Sequence, residues 1–264
     1  MKLLSRRKSW SALAIASLGT LVAGCSQRDA GKSPPVVADK RVHEGAVRQS
    51  APAAAAFDFY LMALTVHPAF CADGHARQRE CGAGTRRPLV IHGLWPERNE
   101  PRTYPRDCPV PPLDLDPALA LELADFMPGV ADGLDQHEWR EHGGCSGLDD
   151  DVYVRHMLEL ARTIDAALSA RLTTLAGRET TAAGLREVVD AFHPELGATL
   201  TFHCRTLRDA PTGHGRDPYL IEVRQCLDND GPDGGPGTAL DCATVKRRDQ
   251  GCGESFWIAA ARAP

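Results

Sequence analysis

Apolar residues in this chain cluster in short runs, and several of these runs have the length and composition of β-strands. Residues 57–66 (FDFYLMALTV) are apolar and aromatic, and residues 89–94 (LVIHGL) form a second, shorter run. Such runs, bounded by glycine and proline, predict strands. The polar residues 67–87 and the proline-rich residues 99–112 show no such pattern, so we expect loops there.

Other segments carry apolar residues three and four positions apart, which predicts helices. Asp116 can cap a helix that runs to about Phe126, and residues 182–192 fit another. A longer helix follows the acidic run 149–151. Its apolar face comprises Val154, Met157, Leu158, Ala161, Ile164 and Leu168. Because acids stabilise the positive end of a helix dipole, we interpret the acidic run as a helix start and not as a metal site.

Late in the chain the pattern returns to strands. Residues 198–205, 219–227 and 256–260 are short apolar runs, and residues 228–237 (DNDGPDGGPG) form a turn-rich loop. A strand, then helices, then further strands is the order of an α+β fold. We therefore expect a central antiparallel β-sheet with flanking helices.

The N-terminal residues have the layout of an export signal. Residues 1–8 are basic, and residues 10–23 are mostly apolar or small, a run too short and too weakly apolar for a lasting membrane span. Residues 21–25 (LVAGC) resemble a bacterial lipobox, in which the cysteine is lipidated and becomes the mature N-terminus. We predict that residues 1–25 are such a signal, with lipidation at Cys25. An ordinary cleaved signal with an unrelated cysteine is the alternative.

Residues 26–56 are rich in Ala, Pro, Ser, Lys and Arg and have no apolar period. This composition predicts a flexible tether to a folded domain of residues 57–264. By likeness to lipoproteins of this kind, Ser26 indicates the outer membrane and not retention on the inner one. We expect export across the inner membrane, a periplasmic or outer-membrane lipoprotein, and membrane attachment only through the lipid anchor.

The remaining cysteines indicate the redox compartment. The chain has nine, and setting Cys25 aside leaves an even number at wide spacings with no CxxC pair. A zinc ribbon needs such pairs, so the spacing favours four disulfides formed in an oxidising compartment. The spacing alone leaves their pairing open.

Charge argues against broad electrostatic binding of nucleic acid. The formal net charge is −5, and the charged residues of the predicted signal are all basic, so the exported chain is more acidic still. Proteins that hold nucleic acid by bulk charge are basic. Any RNA contact must therefore come from a local site, and we expect transient binding.

Two short segments concentrate the residues that can carry chemistry. Residues 91–96 (IHGLWP) contain His92, and residues 137–145 (HEWREHGGC) contain His137 and His142. The second segment opens like the zinc motif HExxH, but its two histidines are five residues apart and would not share one helix face. We therefore expect neither a metal site nor a cofactor.

Two imidazoles can instead cleave RNA without a metal. Their pKa values lie near neutral pH, so one can remove a proton while the other donates one. RNA supplies its own nucleophile, the 2′-hydroxyl. DNA lacks that hydroxyl and would not be cut.

The two segments resemble the active-site motifs of the ribonuclease T2 family. The resemblance covers most of residues 57–262, including residues 57–64 and 220–228, which resemble a first and a late strand of that family. It implies an α+β fold and cleavage of single-stranded RNA through a 2′,3′-cyclic phosphate intermediate. It also implies the following roles: His92 as general acid, His142 as general base, Glu138 assisting at the phosphate, His137 binding phosphate, and Trp95 stacking on a base. For Trp95 a core position is the alternative, and Trp139 is expected to pack in the core.

The resemblance also implies four disulfide pairs. These are Cys71–Cys81, Cys108–Cys145, Cys204–Cys252 and Cys226–Cys242.

One position departs from the family pattern. A lysine usually precedes the second catalytic histidine, but here that residue is Glu141. Two charges 4 Å apart interact by about 1–4 kcal/mol near a protein surface, so this carboxylate would repel a phosphate appreciably. Two interpretations remain open: an active endoribonuclease, or a catalytically weakened relative that acts as an RNA-binding or interaction protein. In either case we expect a monomer.

Overall fold

The computed structural model describes residues 54–82, 87–100, 103–210, 214–245 and 251–261. The predicted lipidation site Cys25 and residues 26–53 of the predicted tether lie outside this part of the chain. The last tether residues contact the domain: Ala55 N–H donates to the Cys145 carbonyl, and Ala56 accepts from Arg98. Among the described helices, none combines the length and apolar character that a membrane span requires.

The strands of the described residues form one seven-stranded sheet. They are β1 (Phe59–Val66), β2 (Leu89–Glu97), β3 (Glu179–Thr180), β4 (Leu200–Arg205), β5 (Tyr219–Leu227), β6 (Ala239–Leu240) and β7 (Phe256–Trp257). The order is β2-β1-β5-β7-β3, and β4 and β6 also pair with β5. Every pairing is antiparallel except the contact of β5 with β7, which is parallel.

Helices flank this sheet. They are α1 (His67–Phe70), α2 (Pro117–Phe126), α3 (Leu134–Glu141), α4 (Asp150–Thr174), α5 (Ala182–Phe192), α6 (Leu196–Thr199) and α7 (Cys242–Val245). The expected cap is present at α2, where Asp116 accepts the N–H groups of Ala118 and Leu119. Asp149 caps α4 in the same way. Such caps satisfy N–H groups that lack a partner in the first helical turn.

The acidic run at the start of α4 also serves the fold. Asp150 accepts the backbone N–H of Asp114 at 2.8 Å, and Asp151 accepts that of Asp116 at 3.0 Å. The run therefore joins α4 to the segment that leads into α2, which agrees with its interpretation as structural.

The core lies between the sheet and the helix layer. The predicted apolar face of α4 is buried, and it packs in one cluster with Met62 and Leu64 of β1 and Ile91 of β2. Burying each such side chain contributes about 1.5–3 kcal/mol. Trp139 belongs to the same cluster and is 4% exposed. The expected α+β fold, with its central sheet, flanking helices and four disulfides, is confirmed.

The structure differs from the expected elements mainly in short segments. Residues 67–81, expected to be loop, contain α1 and two further helical turns, because Pro68 suits a first helical turn. The two-residue strands β3 and β6 were not predicted. Strand β7 ends at Trp257, three residues earlier than expected. Such short strands exist because they pair with a neighbouring strand, and two residues are too few to show a hydrophobic period in the sequence.

The disulfides of the structure are the four pairs that the resemblance implies. They are Cys71–Cys81, Cys108–Cys145, Cys204–Cys252 and Cys226–Cys242. Cys145 lies three residues after His142. The bond from Cys108 therefore anchors the end of the second histidine segment to the proline-rich segment before α2.

Candidate active site

A β-bulge on β2 places the first histidine. Met62 of β1 pairs with Leu94, and Leu64 pairs with Ile91, so His92 is an extra residue in β2. Ile91 and Leu94 consequently both face the core, with 1% and 0% exposure. His92 is turned to the other face of the sheet, where its side chain is 38% exposed. Bulges redirect side chains in this way, often beside functional sites.

The first histidine is bound by a carboxylate of β5. His92 Nδ1 lies 2.7 Å from Glu222 Oε1, and the other oxygen of Glu222 accepts from Arg224 Nε at 2.7 Å. Burial alone would lower the pKa of His92, but the hydrogen bond and charge of Glu222, with the charge of Glu138, raise it above its ordinary value. The pKa of Glu222 falls to about 2, because its bonds to His92 and Arg224 outweigh its burial.

Sequence reasoning missed both Glu222 and Arg224. A signal was present, since the two charged residues stand two positions apart in the apolar run 219–227 and so share one face of a strand. Their distance from the histidine segments in the sequence hid their relation to His92. The partner could be identified only once β1 was known to pair with both β2 and β5.

The two histidine segments meet through Trp95 and Glu138. The indole N–H of Trp95 donates to Glu138 Oε2 at 2.6 Å, and Glu138 Oε1 lies 3.9 Å from His92 Nε2. Gly93 makes this approach possible: a Cβ there would lie 2.4 Å from both Trp95 Nε1 and Glu138 Oε2. Burial raises the pKa of Glu138, although His92 and the bond from Trp95 oppose the shift.

Helix α3 presents the second segment. Glu138 and Trp139 face inward, and the Trp139 indole donates to the Pro111 carbonyl at 2.9 Å, which fixes the helix against the proline-rich segment. His137 and Arg140 lie on the exposed side. The helix therefore carries Glu138 into the site and leaves His137 at its rim.

His142 follows the last residue of α3. Its ring centroid lies 5.5 Å from that of Trp95 and 5.9 Å from that of Tyr104. Trp95 also contacts His92, at a centroid distance of 5.0 Å, so one indole ring touches both catalytic candidates. Its Nδ1 is buried without a hydrogen-bond partner in the described residues. Burial lowers the pKa of His142 to about 4, and the charge of Glu141 opposes that shift only in part.

Glu141, the departure from the family pattern, is held by its neighbour. Arg140 Nη2 lies 3.3 Å from Glu141 Oε1 and 3.0 Å from His137 Nδ1. Desolvation favours the neutral form of Glu141, but the bond from Arg140 and the nearby positive charges lower its pKa. Glu141 thus stays ionised, and the positive charge of Arg140 partly neutralises it.

A cavity of about 770 Å³ opens beside His92. It contains the stacked rings of Phe70 and His75, whose centroids are 4.3 Å apart with an interplanar angle of 2°. Its charged lining comprises four arginines and three acids: Arg77, Arg79, Arg205, Arg224, Glu80, Asp132 and Glu222. An aromatic face beside several guanidinium groups is a suitable environment for a base and its phosphates.

In the described residues, the group with the spacing of metal ligands is His67 with Cys71 and Cys81. The two sulfurs of that group are joined in a disulfide. The group contains none of the residues of the two histidine segments.

Comparisons with known proteins agree with this arrangement. A model of the ribonuclease T2 family matches residues 57–233. A protein named ribonuclease from Aeromonas hydrophila is 31% identical over 208 residues, covering 76% of this chain and 85% of that protein. Ribonuclease MC from Momordica charantia is 27% identical over 211 residues, covering 76% of this chain and 99% of that protein.

Solved structures show the same similarity. Ribonuclease MC1 from bitter gourd seeds matches with a TM-score of 0.58 and 25% identity, over 76% of this chain and 100% of that one. A mutant of RNase MC1, crystallised in complex with 5′-UMP, also matches with a TM-score of 0.58 and 25% identity, over 77% of this chain and 99% of that one.

Proposed function

Because this chain belongs to the ribonuclease T2 family and is an RNA endonuclease, we propose that it cuts single-stranded RNA without a metal, through a 2′,3′-cyclic phosphate. The observation that carries the proposal is the meeting of the two histidine segments: the Trp95 ring contacts both His92 and His142, and Glu138 Oε1 lies 3.9 Å from His92 Nε2. In this arrangement the pKa of His142 is lowered to about 4, and that of His92 is raised. Titratable neighbours whose pKa values are pushed apart are suited to act as a base and an acid.

His142 is the proposed general base. With a pKa of about 4 its ring is neutral over most of the acidic and neutral range, so it can accept a proton. Its Nδ1 is buried, which leaves Nε2 to meet the substrate. In the first step Nε2 takes the proton of the 2′-hydroxyl, and the 2′-oxygen forms a bond to phosphorus.

His92 is the proposed general acid. Its Nδ1 is engaged by Glu222, so its Nε2 is the atom available to the leaving group. As the bond from phosphorus to the 5′-oxygen breaks, Nε2 donates its proton to that oxygen. The products are a 2′,3′-cyclic phosphate and a free 5′-hydroxyl, and the two histidines exchange their starting protonation states.

Glu138 and His137 are proposed to bind the phosphate. Burial raises the pKa of Glu138, so protonating it to donate a hydrogen bond to a non-bridging oxygen costs less than for an exposed carboxyl. His137, at the rim, can contact the same group when charged, and Arg140 beside it adds positive charge. Trp95 contacts both histidine rings, and its proposed stacking on a base has to be compatible with its bond to Glu138.

The second candidate function is an RNA-binding relative with weakened catalysis, and Glu141 is the observation that favours it. Its ionised carboxylate stands next to His142 in the sequence, where it opposes an incoming phosphate. The bond from Arg140 offsets part of this charge. Retention of His92, Glu138 and His142 in one site favours the enzyme.

The test is RNA cleavage by the purified, oxidised protein in EDTA, from pH 4 to 8. A 2′-deoxy substrate of the same sequence serves as the matched control. Fragments ending in 2′,3′-cyclic phosphate, absent with the control substrate and with His142→Ala, are expected. Binding of RNA without cleavage by a correctly folded protein would replace this proposal with the second candidate. Loss of activity in EDTA would refute the metal-free mechanism.

We also propose that the chain is exported, lipidated at Cys25, tethered by residues 26–56 and monomeric. The support is the sequence pattern of residues 1–25 and the disulfides of the domain, which require an oxidising compartment. Mass spectrometry of the N-terminal peptide after expression in a bacterial host tests lipidation, with Cys25→Ser as the control. An unmodified Cys25, or a dimer in gel filtration, would count against the corresponding part.

A further inference from the structure

We propose that Glu222, clamped by Arg224, is the positioning residue of His92: it sets the orientation and tautomer of the ring so that Nε2 delivers the proton. The inference rests on the proposed role of His92 as general acid. Nothing in the two histidine segments themselves provides this partner. It comes from β5, two strands away from β2 in the sheet.

The first step of the argument is the need for such a partner. His92 is the extra residue of a β-bulge, so its orientation is not set by a paired neighbour on β1. Its side chain is 38% exposed, and its ring meets Trp95 edge-on at a centroid distance of 5.0 Å, so packing restrains the ring only in part. A half-exposed imidazole on a bulge would sample several rotamers unless a hydrogen bond held it.

The second step is the direction of the bond. A carboxylate can only accept, so at 2.7 Å from Glu222 Oε1 the Nδ1 of His92 must carry the hydrogen. Nε2 is then the site that gains and loses the catalytic proton. The negative charge of Glu222 also stabilises the imidazolium.

The third step is the clamp on Glu222 itself. Arg224 lies two residues further on the same strand face, and its Nε and Nη2 atoms approach Glu222 Oε2 at 2.7 Å and 2.5 Å. Arg224 Nη1 is in turn 2.9 Å from His203 Nε2 on β4, which pairs with β5. Glu222 thus has one oxygen held by Arg224 and the other on the catalytic ring, with its side chain only 10% exposed.

The charged groups that face His92 make opposite contributions. Glu222 and Glu138 stabilise the imidazolium, and Arg224 destabilises it. Because a nearby charge shifts this pKa whether or not it orients the ring, the readout specific to positioning is the tautomer of His92, which ring ¹⁵N shifts report: the hydrogen of the neutral ring is expected on Nδ1.

The experiment compares Glu222→Gln and Arg224→Gln in the full chain, with Glu179→Gln as the matched control. Glu179 is on β3, at the opposite end of the strand order from β2. The readouts are the pKa of His92, from NMR titration of its ring, and the pH dependence of kcat and KM. Circular dichroism confirms folding of each variant.

In Glu222→Gln the pKa of His92 is expected to fall and the alkaline limb of kcat to move to lower pH. We expect kcat to drop by about tenfold or more, because general acid catalysis supplies about 10²–10⁴-fold, while KM changes little. In Arg224→Gln, which removes the group that holds Glu222, kcat is expected to fall by less than in Glu222→Gln, with little change in KM. Glu179→Gln should change neither.

An unchanged His92 pKa in Glu222→Gln would overturn the proposal and leave the pair a structural one. If Glu222→Gln does not fold, the unsubstituted protein carries the test: ring ¹⁵N shifts that place the hydrogen of neutral His92 on Nε2 and not on Nδ1 would overturn it. The NMR readout does not depend on activity. Failure of the proposed function would show separately, as wild-type cleavage by His92→Ala.

Discussion

The indole N–H of Trp95 donates a hydrogen bond of 2.6 Å to Glu138 Oε2, which joins two segments that lie 43 residues apart. The same indole ring contacts the rings of both His92 and His142. Trp95 therefore links the buried carboxyl to both histidines. Neither of the two roles considered from sequence, base stacking or core packing, includes this bond.

Replacing Trp95 by Phe keeps an aromatic ring and removes the bond. Hydrogen bonds to charged groups contribute about 1.5–3 kcal/mol, so we expect kcat/KM to fall by about 10- to 100-fold. The pKa of Glu138 should rise further, because the bond from Trp95 now lowers it. Steady-state cleavage of a dinucleotide measures the change. Wild-type kcat/KM in a folded Trp95→Phe variant would mean that the bond has no catalytic role.

Gly93→Ala tests the same contact from the backbone side. An added Cβ would lie 2.4 Å from both partners of the bond, so either the Trp95 ring or the Glu138 side chain must move. We expect Gly93→Ala to lose about as much activity as Trp95→Phe. We expect its Tm to fall by less than that of Trp95→Phe. Gly253→Ala is the control, because a Cβ there meets no atom within 4 Å. Equal activities of the two variants would contradict this explanation of Gly93.

The elements that sequence predicts well are those whose signals are local. Helix α5 and strand β5 have the expected bounds, and the caps of α2 and α4 lie where Asp116 and Asp149 predict them. Caps and apolar periods depend on a few consecutive residues, so one sequence suffices to find them. The α+β class follows from their order.

The features that could not be predicted from the sequence, the bulge at His92 and its bond to Glu222, depend on contacts between residues distant in the sequence. The bulge at His92 exists because β1 pairs both Met62 with Leu94 and Leu64 with Ile91. Glu222 reaches His92 only because β1 lies between their strands. Register and strand order are long-range properties, and no period within residues 89–97 or 219–227 encodes them.

The pH dependence of kcat/KM should be bell-shaped and broad, because the pKa of the base is lowered and that of the acid is raised. The base His142 must be neutral, so activity is lost as pH falls through its pKa of about 4. The acid His92 must be protonated, so activity is lost as pH rises through a pKa above its ordinary value of 6.5. Initial rates from pH 3 to 9 check both limbs. An acid limb near pH 6.5 would refute the low pKa of His142.

Glu141→Lys is expected to raise activity, since it replaces a carboxylate near the phosphate by an ammonium group. KM should fall by a few fold. The acid limb should move to lower pH, because the charge of Glu141 now raises the pKa of His142. Glu159→Lys, the same change on the exposed side of α4, is the control for net charge. Unchanged or lower turnover in Glu141→Lys alone would count against the inhibitory role of this carboxylate.

Loss of the disulfide Cys108–Cys145 should lower kcat by more than its effect on stability explains. It closes 37 residues and anchors the chain just after His142, whereas Cys204–Cys252 closes 48 residues at β4. Loop closure of this size contributes about 4 kcal/mol in the chain-entropy model, so replacing either pair by alanines should lower the free energy of unfolding similarly. Well below both Tm values, we expect the variant without Cys108–Cys145 to lose most of its kcat and the other to keep most of it. Thermal unfolding and cleavage rates, measured on both variants, separate the two effects. Parallel losses of kcat would mean that the bond stabilises the domain without positioning His142.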